Sequence, residues 1–308
     1  MLKLKRIKKI FKSDLLAQPF TALDDVSFEI PQGALVGFLG ANGAGKTTSL
    51  KIIMDFIRPD SGAVEFATSL GQTKMEIFRK IGFLPERPYF YPNLSGEEFL
   101  RMLGKLSETP SGELLSRIRY WTPRFNIEHA LKRPLKTYSK GMLQRIGFLA
   151  TIIHDPELII LDEPLSGLDP VGRKEMKDVI SEIHNKGKTV FFSSHVVPDI
   201  EEICDRVIFL EKGKLAYDGS VQSLIHNSPN LNFSIKVRGN PELIKQVADQ
   251  TGALLDLDMG SGYHMLKVNP ANKQSTLAML IEKSIDVVAL EMEKLSLEEI
   301  FYKIKNKI

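Results

Sequence analysis

Short apolar runs and stretches of helical periodicity alternate over the first part of the chain. Val26, Phe28 and Ile30 alternate with polar neighbours, and after a Pro-Gln-Gly turn residues 34–39 are almost continuously apolar. A short unbroken apolar run is typical of a strand buried on both faces in a parallel sheet. Similar runs occupy residues 158–161, 189–192 and 207–210. The pattern predicts an α/β fold with a mainly parallel sheet.

Between about residues 87 and 140 the pattern becomes helical. Ser95, followed by Glu98 three residues later, forms a capping box and predicts a helix start. We interpret this stretch as a helical insert. Residues 89–91 at its entrance are three aromatics between two prolines. They either pack inside the insert or form a contact for a partner.

A different pattern occupies the C-terminal part of the chain. Leu231, Phe233, Ile235 and Val237 alternate with polar residues and predict a half-buried strand. A helix, two strands, a second helix and a last strand follow, in the β-α-β-β-α-β order of a ferredoxin-like unit. We therefore expect two domains, residues 1–228 with the helical insert at about 87–140, and a small α+β domain at 229–308.

Composition excludes several classes of protein. The chain has 308 residues, of which 43% are hydrophobic and 26% charged, and its net charge is +3. No apolar run approaches the roughly 18 residues that a membrane-spanning helix needs. Cys204 is the single cysteine, so an internal disulfide or a multi-thiolate metal site is excluded.

Positive charge is concentrated at the start of the chain. The first residues carry no acid and six cations, Lys3, Lys5, Arg6, Lys8, Lys9 and Lys12. Such a segment fits an exposed edge strand whose lysines discourage pairing, or a contact with anionic lipid head groups. It is too short for the broad basic field of a nucleic-acid protein, so no nucleic-acid partner is expected.

A glycine-rich loop follows the predicted buried strand at 34–39. It matches G-x-x-x-x-G-K-[ST], a loop whose backbone N–H groups surround a polyphosphate. The lysine contacts the β- and γ-phosphates and the threonine hydroxyl binds Mg²⁺. The loop and the residue after it are Gly40, Ala41, Asn42, Gly43, Ala44, Gly45, Lys46, Thr47 and Thr48.

Two carboxylates end the apolar run at 158–161. Asp162 is suited to hold the Mg²⁺ shell, and Glu163 is the candidate general base that orients and polarises an attacking water. Together with the phosphate loop, this pair predicts hydrolysis of a nucleotide.

These motifs, with four others in the family's order, resemble the ATP-binding cassette of ABC transporters. Residues 138–145, YSKGMLQR, resemble the family signature L-S-G-G-Q followed by Q-R, and residues 166–169, SGLD, resemble the D-loop. His195 follows a strand as the switch histidine does, and Glu86 stands where the Q-loop has its glutamine. Residues 296–301 are similar to the tail of bacterial export cassettes. The resemblance implies a P-loop NTPase cassette that binds ATP and Mg²⁺.

In this family each ATP lies between two cassettes, which implies a second copy of the chain, in a homodimer. His195 would contact the γ-phosphate in its own cassette, and Asp169 would help to join the two sites. The signature residues that would act on the partner's ATP are Ser139, Lys140, Gly141 and Met142.

Some positions depart from the family pattern or stay open. Glu86 replaces glutamine, and as a carboxylate it can still ligate Mg²⁺ and order water. Lys140 and Met142 replace the first glycine and the final glutamine of L-S-G-G-Q, whereas the phosphate-facing Ser139 and Gly141 are retained. Adenine is expected to stack on an aromatic residue that precedes the phosphate loop, with Phe11 the first candidate and Phe20 the second.

The resemblance implies an ATP-hydrolysing subunit in the cytoplasm, at the inner face of the cell membrane. It would drive export through a separately encoded transmembrane permease. The alternative is a non-transport cassette ATPase in DNA repair or translation. Repair cassettes carry coiled coils or zinc cysteines between the two phosphate-site motifs, and translation factors carry two cassettes. This chain has neither feature.

Overall fold

The structure is a computed structural model that describes residues 1–11, 19–226, 233–257, 262–292 and 297–305. It divides into two compact units, one from Met1 to Val221 and one that begins at Gln222. Among the described residues, no helix combines the length and the apolar character that crossing a membrane requires.

The elements of the first unit alternate between strands and helices. Its strands are β1 (Leu2–Phe11), β2 (Phe20–Ile30), β3 (Leu35–Leu39), β4 (Ser61–Phe66), β5 (Ile81–Leu84), β6 (Leu158–Leu161), β7 (Thr189–Ser194), β8 (Arg206–Glu211) and β9 (Lys214–Ser220). Its helices are α1 (Lys46–Ile53), α2 (Lys74–Arg79), α3 (Gly96–Leu106), α4 (Ser111–Arg124), α5 (Lys140–Ile152), α6 (Pro170–Asn185) and α7 (Val197–Ile203). The helix α8 (Val221–His226) follows.

A six-stranded sheet forms the centre of the first unit. Its order is β5-β6-β7-β3-β8-β9, and all neighbours are parallel except β8 and β9. Every residue of β3, β6 and β7 is buried, as their apolar runs require. The predicted α/β fold with a mainly parallel sheet is confirmed. Because β6, β7 and β3 are adjacent and parallel, the segments that follow them meet at one edge of the sheet.

A second sheet, of order β2-β1-β4, corrects the prediction for the basic N-terminal segment. The strand β1 lies in the middle and pairs antiparallel on both sides, so the edge-strand prediction is wrong. The lysines face acids on their neighbours instead of repelling a partner strand. The ion pairs are Lys3–Glu29 at 3.0 Å, Lys5–Glu65 at 2.7 Å, Lys8–Asp24 at 3.3 Å and Lys9–Asp60 at 3.3 Å. Lys12 lies outside the described residues.

The stretch predicted to be helical contains α3 and α4, followed by short 3₁₀ turns at Glu128–Ala130 and Leu135–Thr137. The Ser95 hydroxyl accepts from the Glu98 N–H at 3.2 Å, and the Glu98 carboxylate accepts from the Ser95 N–H at 2.8 Å. This capping box was predicted and is confirmed. Phe125 and Phe148 stack edge to face, with ring centroids 5.3 Å apart, and join the region to α5.

The second unit forms its own small sheet. Its elements are β10 (Phe233–Arg238), α9 (Pro241–Thr251), β11 (Leu254–Leu257), β12 (His264–Val268), a 3₁₀ turn (Pro270–Asn272), α10 (Lys273–Glu282), β13 (Asp286–Met292) and α11 (Leu297–Lys305). The sheet order is β11-β12-β10-β13, with every neighbouring pair antiparallel. Ile235, Val237, Ile244, Leu266 and Leu280 contribute to its core. Leu231 and Ser296 lie outside the described residues.

Candidate nucleotide site

The loop between β3 and α1 needs glycine for conformation and for space. Gly43 and Gly45 have φ values of +83° and +106°. A Cβ added to Gly45 would lie 2.7 Å from the Ala22 carbonyl oxygen, and one on Gly40 would lie 2.7 Å from the Leu210 carbonyl oxygen. These glycines let the loop curve before the N-terminus of α1, where an anion is favoured.

Lys46 lies between this loop and the end of β6. Its side chain is buried, and its ammonium donates to the Gly40 carbonyl at 2.6 Å. The same nitrogen is 3.5 Å from Glu163 Oε1. A buried ammonium requires such partners. Lys46 is therefore within reach of both the loop and the Glu163 carboxylate.

Asp162 is a buried carboxylate with only 1% of its surface exposed. Its Oδ1 accepts from the Ser193 hydroxyl at 2.6 Å. Burial raises the pKa of Asp162, hydrogen bonds from Ser193 and Thr47 oppose that shift, and the charges of Glu163 and Glu86 add to it. The site therefore concentrates negative charge beside a hydroxyl, an environment that favours a cation.

The oxygen donors here fit Mg²⁺. They are the Thr47 hydroxyl and the carboxylates of Asp162 and Glu86. Within the described ranges, no three or more His, Cys, Asp or Glu side chains are grouped so that they could hold a metal. Mg²⁺ is commonly bound by one or two carboxylates together with substrate phosphates and water. This donor set therefore suits Mg²⁺ bound with a nucleotide rather than a protein-only metal cage.

Glu163 directly follows β6 in a conformation that few non-glycine residues adopt, with φ +50°. Its Oε2 lies 2.9 Å from His195 Nδ1. Its Oε1 is buried and has no hydrogen-bond partner in the part of the chain that the structure describes. One oxygen is thus held by His195. The other lies 3.5 Å from the Lys46 ammonium and makes no hydrogen bond within the described residues, so it can still accept one from a substrate water.

Most of the phosphate loop (residues 41–43 and 45–48), together with Glu86, Glu163 and His195, lines a single cavity of about 380 Å³; Gly40, Ala44 and Asp162 are not among its lining residues. This placement brings together the residues that the sequence assigned to phosphate binding and hydrolysis. Phe20 also lines the cavity, whereas Phe11 is not among its lining residues. The two rings lie opposite each other where β1 and β2 pair. The structure thus favours the second candidate for the adenine contact over the first.

The signature residues lie apart from this cavity within one chain. Ser139 caps α5 and accepts from the Met142 N–H at 3.2 Å. Lys140 is exposed, and its side-chain stem lies against Gly167. Asp169 caps α6 and accepts from the Gly172 N–H at 2.9 Å. None of residues 139–142 lines the nucleotide cavity, and neither does Asp169.

Comparison with known proteins identifies the family. A family model described as "ABC transporter" matches residues 23–166. An uncharacterised ABC transporter ATP-binding protein of Synechocystis sp. is 35% identical over 304 residues, which cover 96% of this chain and 82% of that protein. The chain belongs to the ABC transporter family. The bacitracin transport ATP-binding protein BcrA of Bacillus licheniformis is 33% identical over 299 residues, covering 92% of each chain.

A solved structure carries the same fold. It is a dimeric ATP-binding cassette in a post-hydrolysis state bound to ADP and Pi, with a TM-score of 0.63 and 23% identity over 72% of this chain and 99% of that one. At this identity the likeness concerns the fold alone. This member of the ABC family is an ATP-binding subunit of a transporter, and family membership implies ATP hydrolysis. The relatives support this function rather than one in DNA repair or translation.

The cassette also contains two contacts that sequence reasoning missed. The Ser193 hydroxyl accepts from the Glu163 N–H at 2.9 Å while it donates to Asp162. Gln144, in the signature helix, donates to the Pro164 carbonyl at 3.0 Å. For Ser193, the signal was its position two residues before His195, because alternate residues of a strand share a face. For Gln144, the only signal in the sequence was its place in the Q-R pair that follows the signature.

Proposed function

We propose that the protein is a Mg²⁺-dependent ATPase whose hydrolytic base is Glu163. The observation that carries this proposal is the Glu163 carboxylate in the phosphate-loop cavity. Its Oε2 is held by His195, and its Oε1 lies 3.5 Å from the Lys46 ammonium with no hydrogen-bond partner among the described residues. An anchored carboxylate with one available oxygen can accept a proton from water at a phosphate.

In the proposed reaction, the loop backbone and Lys46 bind the phosphates of ATP and fix their orientation. Glu163 takes a proton from water as the water oxygen bonds to the γ-phosphorus. The bond from that phosphorus to the ADP oxygen breaks, and ADP and phosphate leave. His195 keeps the Glu163 carboxylate in place.

Thr47, Asp162 and Glu86 would hold Mg²⁺. This ion offsets the negative charge of the phosphates when it is bound. Glu86 adds one more negative charge than the usual glutamine. That charge makes binding of a cation at the site more favourable.

The second copy is part of the proposal. Residues 139–142 form the N-terminal end of α5, with Ser139 as its cap. Ser139 and Lys140 are exposed, and Gly141 and Met142 are partly buried. None of the four lines the cavity of its own chain. They are therefore available to an ATP held by a partner, and Asp169 is available to the same interface. The solved cassette of the same fold is dimeric.

We further propose that the subunit binds a transmembrane permease. It would then lie at the cytoplasmic face of the membrane and drive export. We assign the docking site of the permease to a groove of about 420 Å³. Tyr89 and Tyr91 line it with 81% and 51% of their surfaces exposed. Phe90 also lines the groove, but it packs on Phe99, with ring centroids 5.4 Å apart. The aromatic segment therefore combines a packed ring with two exposed ones, and the exposed pair is the contact that we assign to the permease.

The test of the ATPase is phosphate release by the purified protein, with Mg²⁺ and with a chelator. Glu163→Gln keeps the size of the side chain and loses the base. We expect at least a tenfold lower kcat with ATP binding retained. Lys46→Ala should instead weaken ATP binding, because a charge partner of the phosphates is lost. Turnover of Glu163→Gln within twofold of the wild type would remove Glu163 from this role.

A further inference from the structure

The Ser193 hydroxyl joins the two acidic residues that follow β6. It lies near the end of the adjacent strand β7 and is completely buried. It donates to Asp162 Oδ1 at 2.6 Å and accepts from the Glu163 N–H at 2.9 Å. A serine hydroxyl has one proton, and an ionised carboxylate only accepts. The proton therefore points to Asp162, and an oxygen lone pair is left for the Glu163 N–H.

The Glu163 backbone needs such a partner. Its φ of +50° is one that a non-glycine residue keeps only when its surroundings hold it there. A buried backbone N–H also requires an acceptor. Ser193 supplies that acceptor. The left-handed turn directs the Glu163 side chain, so the turn and the position of the carboxylate depend on the same contact.

The end of β7 and the residue that follows it thus contact Glu163 at two points. Ser193 holds its peptide N–H, and His195, two residues later, lies at 2.9 Å from its Oε2. Neighbouring Ser194 does not take part. Its hydroxyl bonds with the Val196 N–H at 3.0 Å and the Val196 carbonyl at 3.4 Å.

We propose that Ser193 is a positioning residue of the hydrolytic site. It sets the placement of the Asp162 carboxylate relative to the Glu163 peptide and so holds Glu163 at the wall of the cavity. The assignment rests on the proposed ATPase function. Ser193 does not line the cavity, so it acts through its two neighbours.

The experiment compares Ser193→Ala with Ser194→Ala. Both variants remove one buried hydroxyl from β7, but only Ser193→Ala removes the link between Asp162 and Glu163. We expect Ser193→Ala to lower kcat about 10- to 100-fold, the range typical of contacts that orient active groups. KM for ATP should stay within about twofold, because the lost interaction orients the base and leaves ground-state binding of ATP intact. Ser193→Thr retains the hydroxyl and should restore most of kcat.

A second measurement does not depend on activity. Hydrogen exchange of the Glu163 amide in the nucleotide-free protein should accelerate in Ser193→Ala and stay unchanged in Ser194→Ala, because only the former loses its acceptor. Unchanged exchange in Ser193→Ala overturns the assignment. Equal losses of kcat in the two alanine variants overturn it as well, since the hydroxyls would then matter only for packing.

The two proposals fail in different ways. If the wild type hydrolyses no ATP with Mg²⁺, the ATPase proposal fails, and the role of Ser193 in hydrolysis fails with it. If the wild type is active and Ser193→Ala keeps kcat within twofold, only the Ser193 assignment fails.

Discussion

At the residue scale, Asp162, which we propose as a Mg²⁺ ligand, is unfavourable for the stability of the nucleotide-free fold. Burial and two neighbouring carboxylates raise its pKa, so its charged form is less favourable in the folded chain than in the unfolded chain. A carboxyl with a raised folded pKa destabilises the fold at high pH, and this effect is lost as the pH falls below the unfolded value.

We therefore predict that Asp162→Asn stabilises the nucleotide-free protein near neutral pH. At about pH 8 its Tm should rise by roughly 2–5 °C, because a buried charge is removed. Because its pKa is raised, wild-type Asp162 takes up its proton at a higher pH than an ordinary aspartate, so the gain should shrink at about pH 4. Thermal unfolding at both pH values measures this. Asp178→Asn is the control, since Asp178 is an exposed carboxylate. An equal shift in both variants would contradict the explanation.

The adenine contact is a second question at this scale. Base stacking on an aromatic ring contributes about 1–3 kcal/mol, so Phe20→Ala should raise the Kd for ATP by roughly tenfold. Phe11→Ala should leave it within about twofold, because Phe11 does not line the cavity. Titration calorimetry measures the Kd for ATP and for inorganic triphosphate. Because triphosphate has no adenine, the difference between the two isolates the contribution of the base. The reverse ranking of the two variants would assign the contact to Phe11.

At the scale of elements, the segment between β5 and α3 connects two sites. Glu86 lines the nucleotide cavity, and Tyr89 and Tyr91 line the groove a few residues later. Phe90 between them lies against Gly147 of α5, where an added Cβ would be 3.2 Å from its ring. This packed ring anchors the segment between the two exposed tyrosines.

We predict different effects for the exposed and the packed aromatics. Tyr89→Ala and Tyr91→Ala should leave the Tm and basal ATPase of the isolated chain nearly unchanged and lower the ATPase stimulated by the permease. Phe90→Ala should lower the Tm by several degrees, because it leaves a gap beside Phe99. If the tyrosine variants lose as much Tm as Phe90→Ala, the tyrosines belong to the packing and the docking proposal fails.

At the scale of the whole molecule, the first unit contains all the residues that we propose to bind ATP and separates its cavity from its signature. Lys46 lines the cavity, and Ser139 does not. Two copies arranged head to tail would therefore complete two sites, each with the phosphate loop of one chain and the signature of the other.

A mixing experiment tests this arrangement. Lys46→Ala and Ser139→Arg chains should each be nearly inactive alone. In the mixed dimer one site carries both lesions and the other carries neither, so mixing should restore part of the ATPase activity. Inactivity of heterodimers that have been isolated as such would count against shared sites. The control is each variant alone, taken through the same mixing procedure at the same total protein concentration.

The sequence by itself determined the features that depend on neighbouring residues along the chain. The phosphate loop is encoded by glycines within eight positions, the capping box by Ser95 and Glu98, and the buried strands by short apolar runs. Each of these needs only local backbone geometry or local burial, so the pattern is sufficient to predict it.

Only the tertiary structure decided which distant segments meet. An apolar run indicates that a strand is buried but not which strand lies beside it, so β1 proved to be central where its lysines suggested an edge. Phe11 and Phe20 are equivalent as aromatic residues, and only the cavity distinguishes them. Ser193 and Asp162 are 31 residues apart, and their contact arises because β6 and β7 pair in one register. Hydrogen bonds and ion pairs act over a few ångströms in space, and the chain pattern alone does not specify those distances.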